Sequence, residues 1–257
     1  MITDLVSVIM PTYNSERYVG SSIESIIAQS YKNCELLITD DCSSDSTCLV
    51  INSYAEKDSR IKLFRLDKNS GGGVARSNSI KKAQGRYLAF CDSDDQWLPW
   101  KLERQLTFMK SKGCCFSYSS YLTCTEDGTI NGIVVANTMT DYKHECIDNR
   151  IGCLTAIYDT YSFGKIYFPS IRKRQDWGFM LRVLEKCTVS YGMKEPLAIY
   201  RIREGSISSN KAMLVKYNIK FYHEVLNYSW LKSVIKFLLV FMPTYLFKKI
   251  LQHLYNK

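Results

Sequence analysis

Clustered metal ligands of the histidine and cysteine type are missing from this sequence. Its 257 residues include 3 histidines, which lie far apart, and 10 cysteines, none of them in a Cys-x-x-Cys pair. Zinc sites are built from such clusters, so a zinc protein is not expected. Cysteines at irregular spacing are instead typical of small buried side chains in a reducing compartment. We therefore expect a cytoplasmic protein.

Signals for secretion and for crossing a membrane are also missing. The chain starts without the basic segment and apolar stretch of a signal peptide. Its longest apolar run, 237–242, ends at Pro243 and is far shorter than the roughly 18 residues of a spanning helix. The sequence thus predicts neither a signal peptide nor a membrane span.

The glycine-rich loops of common nucleotide-binding motifs are likewise absent. Gly71, Gly72 and Gly73 open a predicted helix, but their spacing fits neither G-x-G-x-x-G nor G-x-x-x-x-G-K-[S/T]. Two interpretations remain: backbone N–H groups that hold a phosphate at a helix N-terminus, or a flexible link into the helix. Arg76, one turn into that helix, is expected to pair with Asp41 or with a phosphate.

The formal net charge of +9 is divided unevenly along the chain. Residues 1–100 carry 11 basic and 13 acidic side chains, a net charge of −2, whereas residues 101–257 carry 23 and 12, a net charge of +11. The acidic first part is a poor match for nucleic acid, because it repels phosphates. The basic remainder indicates an anionic partner such as a phosphate group or a membrane surface.

Hydrophobic patterning predicts an α/β fold. In the first 100 residues, short apolar runs alternate with segments whose apolar residues repeat at helical spacing. The predicted order is strand 5–10, helix 19–27, strand 35–39, helix 46–55, strand 61–64, helix 71–84 and strand 87–91. A helix to 112, a hairpin over 115–135, a loop over 140–152, a helix over 176–187, a strand over 197–202 and helices over 212–228 and 230–256 follow. Strands joined by helices form a mostly parallel sheet with both faces covered.

Polar clusters follow three of the predicted strands. They are Pro11-Thr12-Tyr13-Asn14, Asp40-Asp41 and Asp92-Ser93-Asp94-Asp95. Ligands of such sheets bind beyond the carboxyl ends of the strands, so we expect these clusters to meet at one edge.

Each acidic cluster has two interpretations. Carboxylates as crowded as those of 92–95 repel one another unless a cation neutralises them. Mg²⁺ and Mn²⁺ take one or two carboxylates together with phosphate oxygens, which predicts a metal–diphosphate site; a solvated loop or helix cap is the alternative. Asp40 and Asp41 fit either a turn before a capped helix or a carboxylate that accepts the imide N–H of uracil.

Four sequence blocks together resemble family 2 glycosyltransferases with the GT-A fold. They are 6–14 (VSVIMPTYN), 35–45 (ELLITDDCSSD), 75–78 (ARSN) and 85–95 (GRYLAFCDSDD), continued by 173–177 (KRQDW) and 200–206 (YRIREGS). Within that family the chain is most similar to small bacterial enzymes of O-antigen and teichuronic acid assembly. The resemblance implies a GT-A domain over 1–210, with a nucleotide-binding half over 1–100 and an acceptor half over 101–210.

This resemblance also implies roles for the donor side. The donor nucleotide would be contacted by Pro11, Tyr13, Asn14, Asp41, Arg76, Asp92, Asp94, Asp95 and Arg203. Asp41 would face the uracil, Arg76 would brace that end of the site, and Asp95 would lie near the donor sugar. Asp94, with Asp92, would bind a Mn²⁺ or Mg²⁺ cofactor.

On the acceptor side, the resemblance makes Asp176 the general base. Lys173 and Arg174 would contact a lipid-linked diphosphate, although a solvated basic face is the alternative. Trp177 would stack on an acceptor sugar or belong to the core.

Two positions depart from the family pattern. Gln175 replaces the glutamate that usually precedes the catalytic aspartate, which removes an electrostatic neighbour. Arg203 stands where the family often has histidine, so it would neutralise the diphosphate rather than bind the metal.

The expected activity is an inverting transfer of a hexose from a UDP-sugar to a saccharide on undecaprenyl diphosphate, which forms a β-linkage in O-antigen-type synthesis. One alternative is a nucleotide-binding scaffold without activity. Another is a phosphatase of the haloacid dehalogenase type, although such enzymes have Thr or Val at the position where this chain has Gln96. A nucleic-acid binder is a third, for which no recognition motif is present.

The C-terminal segment 211–257 is basic and amphipathic. It carries eight lysines against the single acidic residue Glu224, and its apolar residues repeat at helical spacing. Such a pattern predicts helices that lie on anionic lipid, here at the inner face of the cell membrane. The alternative is a helix that covers the core or a dimer partner.

Overall fold

The computed structural model describes residues 4–203 and 211–255. The strands are β1 (Val6–Thr12), β2 (Cys34–Asp40), β3 (Ile61–Arg65), β4 (Tyr87–Phe90), β5 (Gln96–Trp97), β6 (Phe116–Cys124), β7 (Ile130–Val134), β8 (Met139–Thr140), β9 (Ile157–Asp159) and β10 (Ser190–Arg201). The helices are α1 (Val19–Ile27), α2 (Thr47–Ala55), α3 (Gly72–Lys82), α4 (Lys101–Lys112), α5 (Tyr142–Glu145), α6 (Thr160–Phe163), α7 (Gln175–Leu184), α8 (Lys211–Glu224), α9 (Trp230–Lys236) and α10 (Met242–Tyr255). Residues 204–206 of the last predicted motif, the predicted boundary at 210 and the end of the tail lie outside the described residues.

One mixed sheet contains these strands. Its order is β3-β2-β1-β4-β9-β6-β10-β5, with β7 beside β6 and β8 beside β10. The four strands β1 to β4 are parallel, which confirms the prediction for the first 100 residues. β9 is antiparallel to both β4 and β6, so this short strand joins the first and second parts of the chain into one sheet.

The sheet separates two cores because side chains along a strand alternate between its faces. Val8 and Met10 of β1 belong to the same core as Ile23 of α1. Ile9, between them, belongs to the opposite core with Phe179 of α7. This double burial explains why β1 reads as a continuous apolar run rather than as an alternating one.

Several elements after β4 were not predicted. β5, β8 and β9 have only two or three residues each, which is too short for a hydrophobic period to be visible. The loop predicted over 140–152 contains the short helix α5. The strand predicted over 197–202 is longer in the structure and begins at Ser190.

A third cluster joins α8 and the helices after it to α7. Trp177 lies at its centre with 0% of its surface exposed, and its ring stacks on Phe221 with 4.0 Å between centroids. Its indole N–H donates to the carbonyl oxygen of Glu145 at 2.7 Å. The interpretation of Trp177 as a sugar contact is therefore wrong, because the C-terminal helices enclose its ring.

The last two helices follow one another without a break. α9 continues through a π-helical turn, Phe237–Phe241, into α10. Within this continuous helix, the stretch Trp230–Phe247 is long and apolar enough to cross a membrane by length and composition. In the structure, 17% of this stretch is buried. The sequence prediction differed because it required an uninterrupted apolar run, whereas this stretch includes Lys232 and Lys236.

Lys101 places an amino group in the interior at the start of α4. The residue is 0% exposed, and its Nζ donates to Gln105 Oε1 at 2.5 Å and to the Thr155 carbonyl oxygen at 3.1 Å. Burial lowers the pKa of Lys101 to about 7. The folded state therefore disfavours the charged amine.

We predict that Lys101→Met removes a pH dependence of stability. From about pH 7 to the ordinary lysine range, the unfolded chain binds a proton that folded Lys101 lacks, so the free energy of unfolding rises with pH by up to about 1.4 kcal/mol per unit. Urea unfolding between pH 6 and 10 should show this rise in the parent protein and in the control Lys112→Met, which changes an exposed lysine of the same helix. Parallel curves for Lys101→Met and the parent protein would contradict the prediction.

Candidate active site

The polar segments after β1, β2 and β4 meet at one edge of the sheet. The backbone N–H of Asn14 donates to Ser43 Oγ at 2.9 Å, and Asn14 Oδ1 accepts from the backbone N–H of Ser44 at 2.9 Å. Ser93 Oγ donates to Ser15 Oγ at 2.9 Å. The sheet order reverses between β1 and β4 at this point, which is where α/β sheets bind ligands. The predicted convergence of the three clusters is confirmed.

The segment after β1 presents Tyr13 and Asn14 to the surface. Both side chains are exposed, and Asn14 adopts a left-handed backbone conformation with φ of 45°. Pro11, by contrast, is buried within β1. The prediction that Pro11 contacts a nucleotide is therefore corrected, because the strand encloses it.

Asp41 fastens the loop that precedes α3. One carboxylate oxygen accepts from the backbone N–H of Ser70 and the other from that of Gly71, each at 2.7 Å. The side chain is buried. These bonds occupy the backbone donors in front of α3, which the sequence had left open to a phosphate.

Arg76 reaches from α3 to the acidic segment 92–95. Its Nη2 lies 2.5 Å from Asp92 Oδ1, and its guanidinium lies over the ring of Phe168 at 5.3 Å. The prediction of a pair with Asp41 is therefore wrong, because Asp41 is held by the backbone. Burial alone would lower the pKa of Arg76, but Asp92 and the other acidic groups around it together raise that pKa above its usual value.

Arg203 pairs with Asp94, the second partly exposed carboxylate of the acidic segment. Its Nη2 lies 2.7 Å from Asp94 Oδ2, and its guanidinium lies 5.1 Å from the ring centre of Tyr18. Burial and repulsion from Asp92 raise the pKa of Asp94, and Arg203 opposes that rise. Arg203, which stands where the family often has histidine, therefore faces a carboxylate in this structure.

Asp95 is a structural residue rather than a surface group. Only 2% of it is exposed, and its Oδ1 accepts from the backbone N–H of Arg201 at 3.0 Å. Burial and repulsion from Asp94 raise its pKa well above the usual value. The prediction that Asp95 lies beside a donor sugar is corrected, because the end of β10 covers it.

The two partly exposed carboxylates suit a divalent cation that takes further ligands from a phosphate. Two carboxylates, Asp92 and Asp94, are the candidate protein ligands, and repulsion between them is relieved by a cation. Within the described ranges there is no group of three or more acidic, cysteine or histidine ligands for a metal. Mg²⁺ and Mn²⁺ bind in this way, with few carboxylates and several phosphate or water oxygens.

The two arginines also carry donors that suit an anion. The Nε of Arg76 and the Nε of Arg203 are buried and have no hydrogen-bond partner among the residues that the structure describes. A guanidinium with an unused N–H binds phosphate oxygens strongly.

Asp176 lies at the start of α7 and shares this site. Asn149 Nδ2 donates to its Oδ2 at 3.3 Å, and its charge acts on Arg76. Burial raises the pKa of the Cys153 thiol, on which the charges of Arg76, Asp92 and Asp176 also act. A carboxylate of the second part of the chain is thus brought to the acidic segment of the first.

Gly72 and Gly73 lie against Gln175, the residue that precedes Asp176. A side-chain carbon at Gly73 would lie 3.1 Å from Gln175 Cγ and 3.4 Å from the Pro169 carbonyl oxygen. One at Gly72 would lie 3.4 Å from Gln175 Nε2. Gly72 and Gly73 therefore allow α7 to approach α3, so the interpretation of a loose link is corrected for these two residues, whereas a phosphate at this helix N-terminus stays a prediction.

The basic residues before Asp176 have different surroundings. Lys173 Nζ lies 4.7 Å from the ring centre of Tyr217 in α8. Arg174 is half-buried and has a left-handed backbone with φ of 63°. Their contact with an acceptor stays a prediction.

Sequence reasoning missed three residues of the site. Asn149 lies in a segment without a recognisable pattern, and no sequence signal marks it. Tyr18 and Glu126, which are hydrogen-bonded to each other, come from α1's N-terminal side and from the β6–β7 turn. The predicted hairpin located Glu126 in a turn, but only the folded sheet brings that turn to Arg201, whose Nη1 donates to the carbonyl oxygen of Glu126 at 2.8 Å.

Comparison with known proteins gives consistent matches. The family model described as "Glycosyl transferase family 2" matches residues 7–157. A Bacillus subtilis protein named for teichuronic acid biosynthesis, TuaG, is 41% identical over 230 residues, which cover 89% of this chain and 91% of the relative. The Escherichia coli UDP-Glc:alpha-D-GlcNAc-diphosphoundecaprenol beta-1,3-glucosyltransferase WfgD is 36% identical over 208 residues, or 80% of this chain and 81% of the relative.

A solved structure shows the same fold. Residues 1–349 of Staphylococcus aureus TarS, in complex with UDP-GlcNAc, align with a TM-score of 0.68 at 22% identity and cover 91% of this chain and 71% of that one. The predicted GT-A fold is confirmed.

We predict that Gly73→Ala is destabilising and that Gln175→Ala partly relieves the effect, because it removes Cγ, 3.1 Å from the added carbon, but keeps Cβ at 3.2 Å. In an open helix Gly→Ala gains about 1 kcal/mol, but here the added carbon meets Gln175, and overpacking costs about 1–3 kcal/mol. The double variant should therefore be more stable than Gly73→Ala alone, as measured by urea unfolding in a double-mutant cycle. Additive effects of the two changes would show that these residues do not press on each other.

Proposed function

This chain belongs to glycosyl transferase family 2 and is a glycosyltransferase, and from that premise we propose that it transfers a hexose from a UDP-sugar to a saccharide carried on undecaprenyl diphosphate. The donor and acceptor classes are supported by the name of the E. coli relative. A role in surface polysaccharide synthesis is supported by the B. subtilis relative. Family membership leaves no basis for the phosphatase or nucleic-acid alternatives.

The observation that carries the proposal is the shared position of Asp176 and the acidic segment. Arg76 pairs with Asp92 at 2.5 Å, and the charges of Asp92 and Asp176 both act on Arg76 and on Cys153. A transferase needs its leaving-group site and its base on either side of one reacting carbon. A scaffold that only binds nucleotide has no use for the second carboxylate.

On the donor side, Asp94 and Asp92 would hold Mn²⁺ or Mg²⁺. The ion would neutralise charge that develops on the leaving diphosphate. Arg76 stays beside Asp92 and keeps that carboxylate oriented. If a cation bound Asp94, the guanidinium of Arg203 would be able to bind the diphosphate and would stabilise the negative charge that develops on it.

On the acceptor side, Asp176 accepts the proton of the attacking hydroxyl group. Asn149 holds one carboxylate oxygen, which leaves the other for the acceptor. Attack from the face opposite UDP inverts the anomeric carbon through an oxocarbenium-like transition state, as in glycoside hydrolysis. An α-linked donor therefore gives a β-linked product.

The experiment that tests this function is a donor and acceptor screen. UDP-Glc, UDP-Gal, UDP-GlcNAc and UDP-GalNAc are each incubated with Mn²⁺ and a GlcNAc- or GalNAc-diphosphate-lipid analogue. We expect transfer from one of these donors, with a β-linkage by NMR. Binding of UDP without transfer to any acceptor would favour the scaffold alternative.

We predict that Asp176→Asn lowers kcat by about 10²- to 10⁴-fold, because general-base help of that size is lost. The dissociation constant of UDP should stay within about twofold, since Asp176 does not hold the nucleotide. Asn149→Ala should lower kcat less, because it only orients the base. Glu56→Gln, at an exposed site, is the control. A near-normal rate for Asp176→Asn would contradict the assignment of Asp176 as the general base.

We predict that Arg203→Gln strengthens the binding of Mn²⁺ in the absence of nucleotide by several-fold, because the cation that faces Asp94 is gone. Electron paramagnetic resonance of free Mn²⁺ measures this directly. Arg86→Gln is the matched control, since Arg86 pairs with Asp4 and Asp159. Unchanged Mn²⁺ affinity in Arg203→Gln would mean that Asp94 is not a metal ligand.

A further inference from the structure

The continuous helix over 230–255, which we call the C-terminal rod, has one face fixed to the domain. Ser233, Phe237 and Phe241 are buried along it at four-residue intervals. Phe241 lies 5.9 Å from the ring of Trp177, between centroids. This inner face therefore packs on the residue that follows Asp176.

The outer face of the rod is apolar and uncovered. Leu231 and Leu239 are 73% and 71% exposed. The other large apolar side chains exposed on the rod are Trp230, Val234, Ile235, Leu238, Tyr245, Leu246, Phe247 and Ile250. An exposed apolar patch of this length, with one face packed and one open, indicates a binding surface.

The charges beside this face identify the occupant as anionic lipid. Lys232 and Lys249 are exposed on the rod, and Lys216 is exposed on α8, where Lys220 pairs with Glu224. The whole segment 211–257 has a single acidic residue in its sequence. A second copy of the chain would bring like charges together, whereas an acidic bilayer accepts both the apolar side chains and the lysines.

The packing also distinguishes lying on the bilayer from crossing it. If Trp230–Phe247 crossed a membrane, Phe237 and Phe241 would leave Trp177, and Lys232 and Lys236 would be carried toward the hydrocarbon. Charged side chains are costly there. An interfacial position keeps the inner face packed and the lysines at the headgroups.

We propose that the outer face of the C-terminal rod binds the interface of an anionic bilayer, and that the inner face, through Trp177, holds α7 in a fixed orientation to that bilayer. The evidence for membrane binding comes from the C-terminal rod alone. The role of that binding, which is to present Asp176 to an acceptor in the membrane, rests on the proposed function. Docking restrains the rod, so the packing of Trp177 and the start of α7 should become more rigid.

The first test is flotation of the full chain with vesicles. The parent protein should bind phosphatidylglycerol vesicles, bind phosphatidylcholine vesicles at least tenfold more weakly, and be released by alkaline carbonate. The double variant L238E/L239E should lose at least tenfold in affinity, and Lys232→Gln and Lys249→Gln about fivefold each. The matched control Leu49→Glu changes a leucine of α2 that is 73% exposed and should bind like the parent.

Three results of that test would overturn the proposal. The first is equal binding by L238E/L239E and the parent protein. The second is resistance to carbonate, which would show a spanning helix. The third is a dimer, seen by analytical ultracentrifugation, that the L238E/L239E substitutions dissociate while vesicle binding persists. That result would show that the outer face binds a second copy of the chain.

The second test is hydrogen exchange with and without vesicles. Vesicles should slow exchange of the α7 amides, residues 175–184, several-fold in the parent protein and not in L238E/L239E. Unchanged exchange of α7 while the rod is protected would overturn the link through Trp177. Neither measurement needs a donor or an acceptor, so a failure of the proposed transfer activity leaves both results in force.

Discussion

The structure depends on the crowding of carboxylates at the end of β4. Asp92, Asp94 and Asp95 lie within four residues, and burial and repulsion raise the pKa of Asp94 and of Asp95. Repelling carboxylates need cations or hydrogen-bond donors around them. Here those groups come from distant parts of the chain: Arg76 from α3 and the residues at the end of β10. Satisfying one acidic segment therefore fixes where these elements meet.

The same requirement explains the contact between the two parts of the chain. Arg76 stays beside Asp92 only if α3 is held close to the edge of the sheet. Asp41 fastens the loop before α3, and Gln175 packs against the glycines of its first turn. Because Gln175 is neutral, it fills this space without offering Arg76 a competing carboxylate. The departure from the usual acidic pair is thus compatible with the ion pair beside it.

Sequence predicted the first part of the fold well, because its buried strands and amphipathic helices are long enough to show a period. It predicted the polar clusters and their convergence for the same reason. It could not decide between a core position and a sugar contact for Trp177, and it could not predict that Asp95 is buried, because the helices and strand that cover them are far away in the chain. It also offered Asp41 or a phosphate as the partner of Arg76 and did not consider Asp92, since the choice between nearby carboxylates depends on which one the backbone already holds.

The short strand β9 has a consequence for how substrates enter and leave. Its three residues are hydrogen-bonded neighbours of both β4 and β6, so the nucleotide side and the acceptor side share one uninterrupted sheet. A shared sheet has no hinge about which two lobes could open. Access to the site must then come from its surface segments, such as the Tyr13–Asn14 turn, and turnover is expected to be timed by loop motion rather than by domain closure.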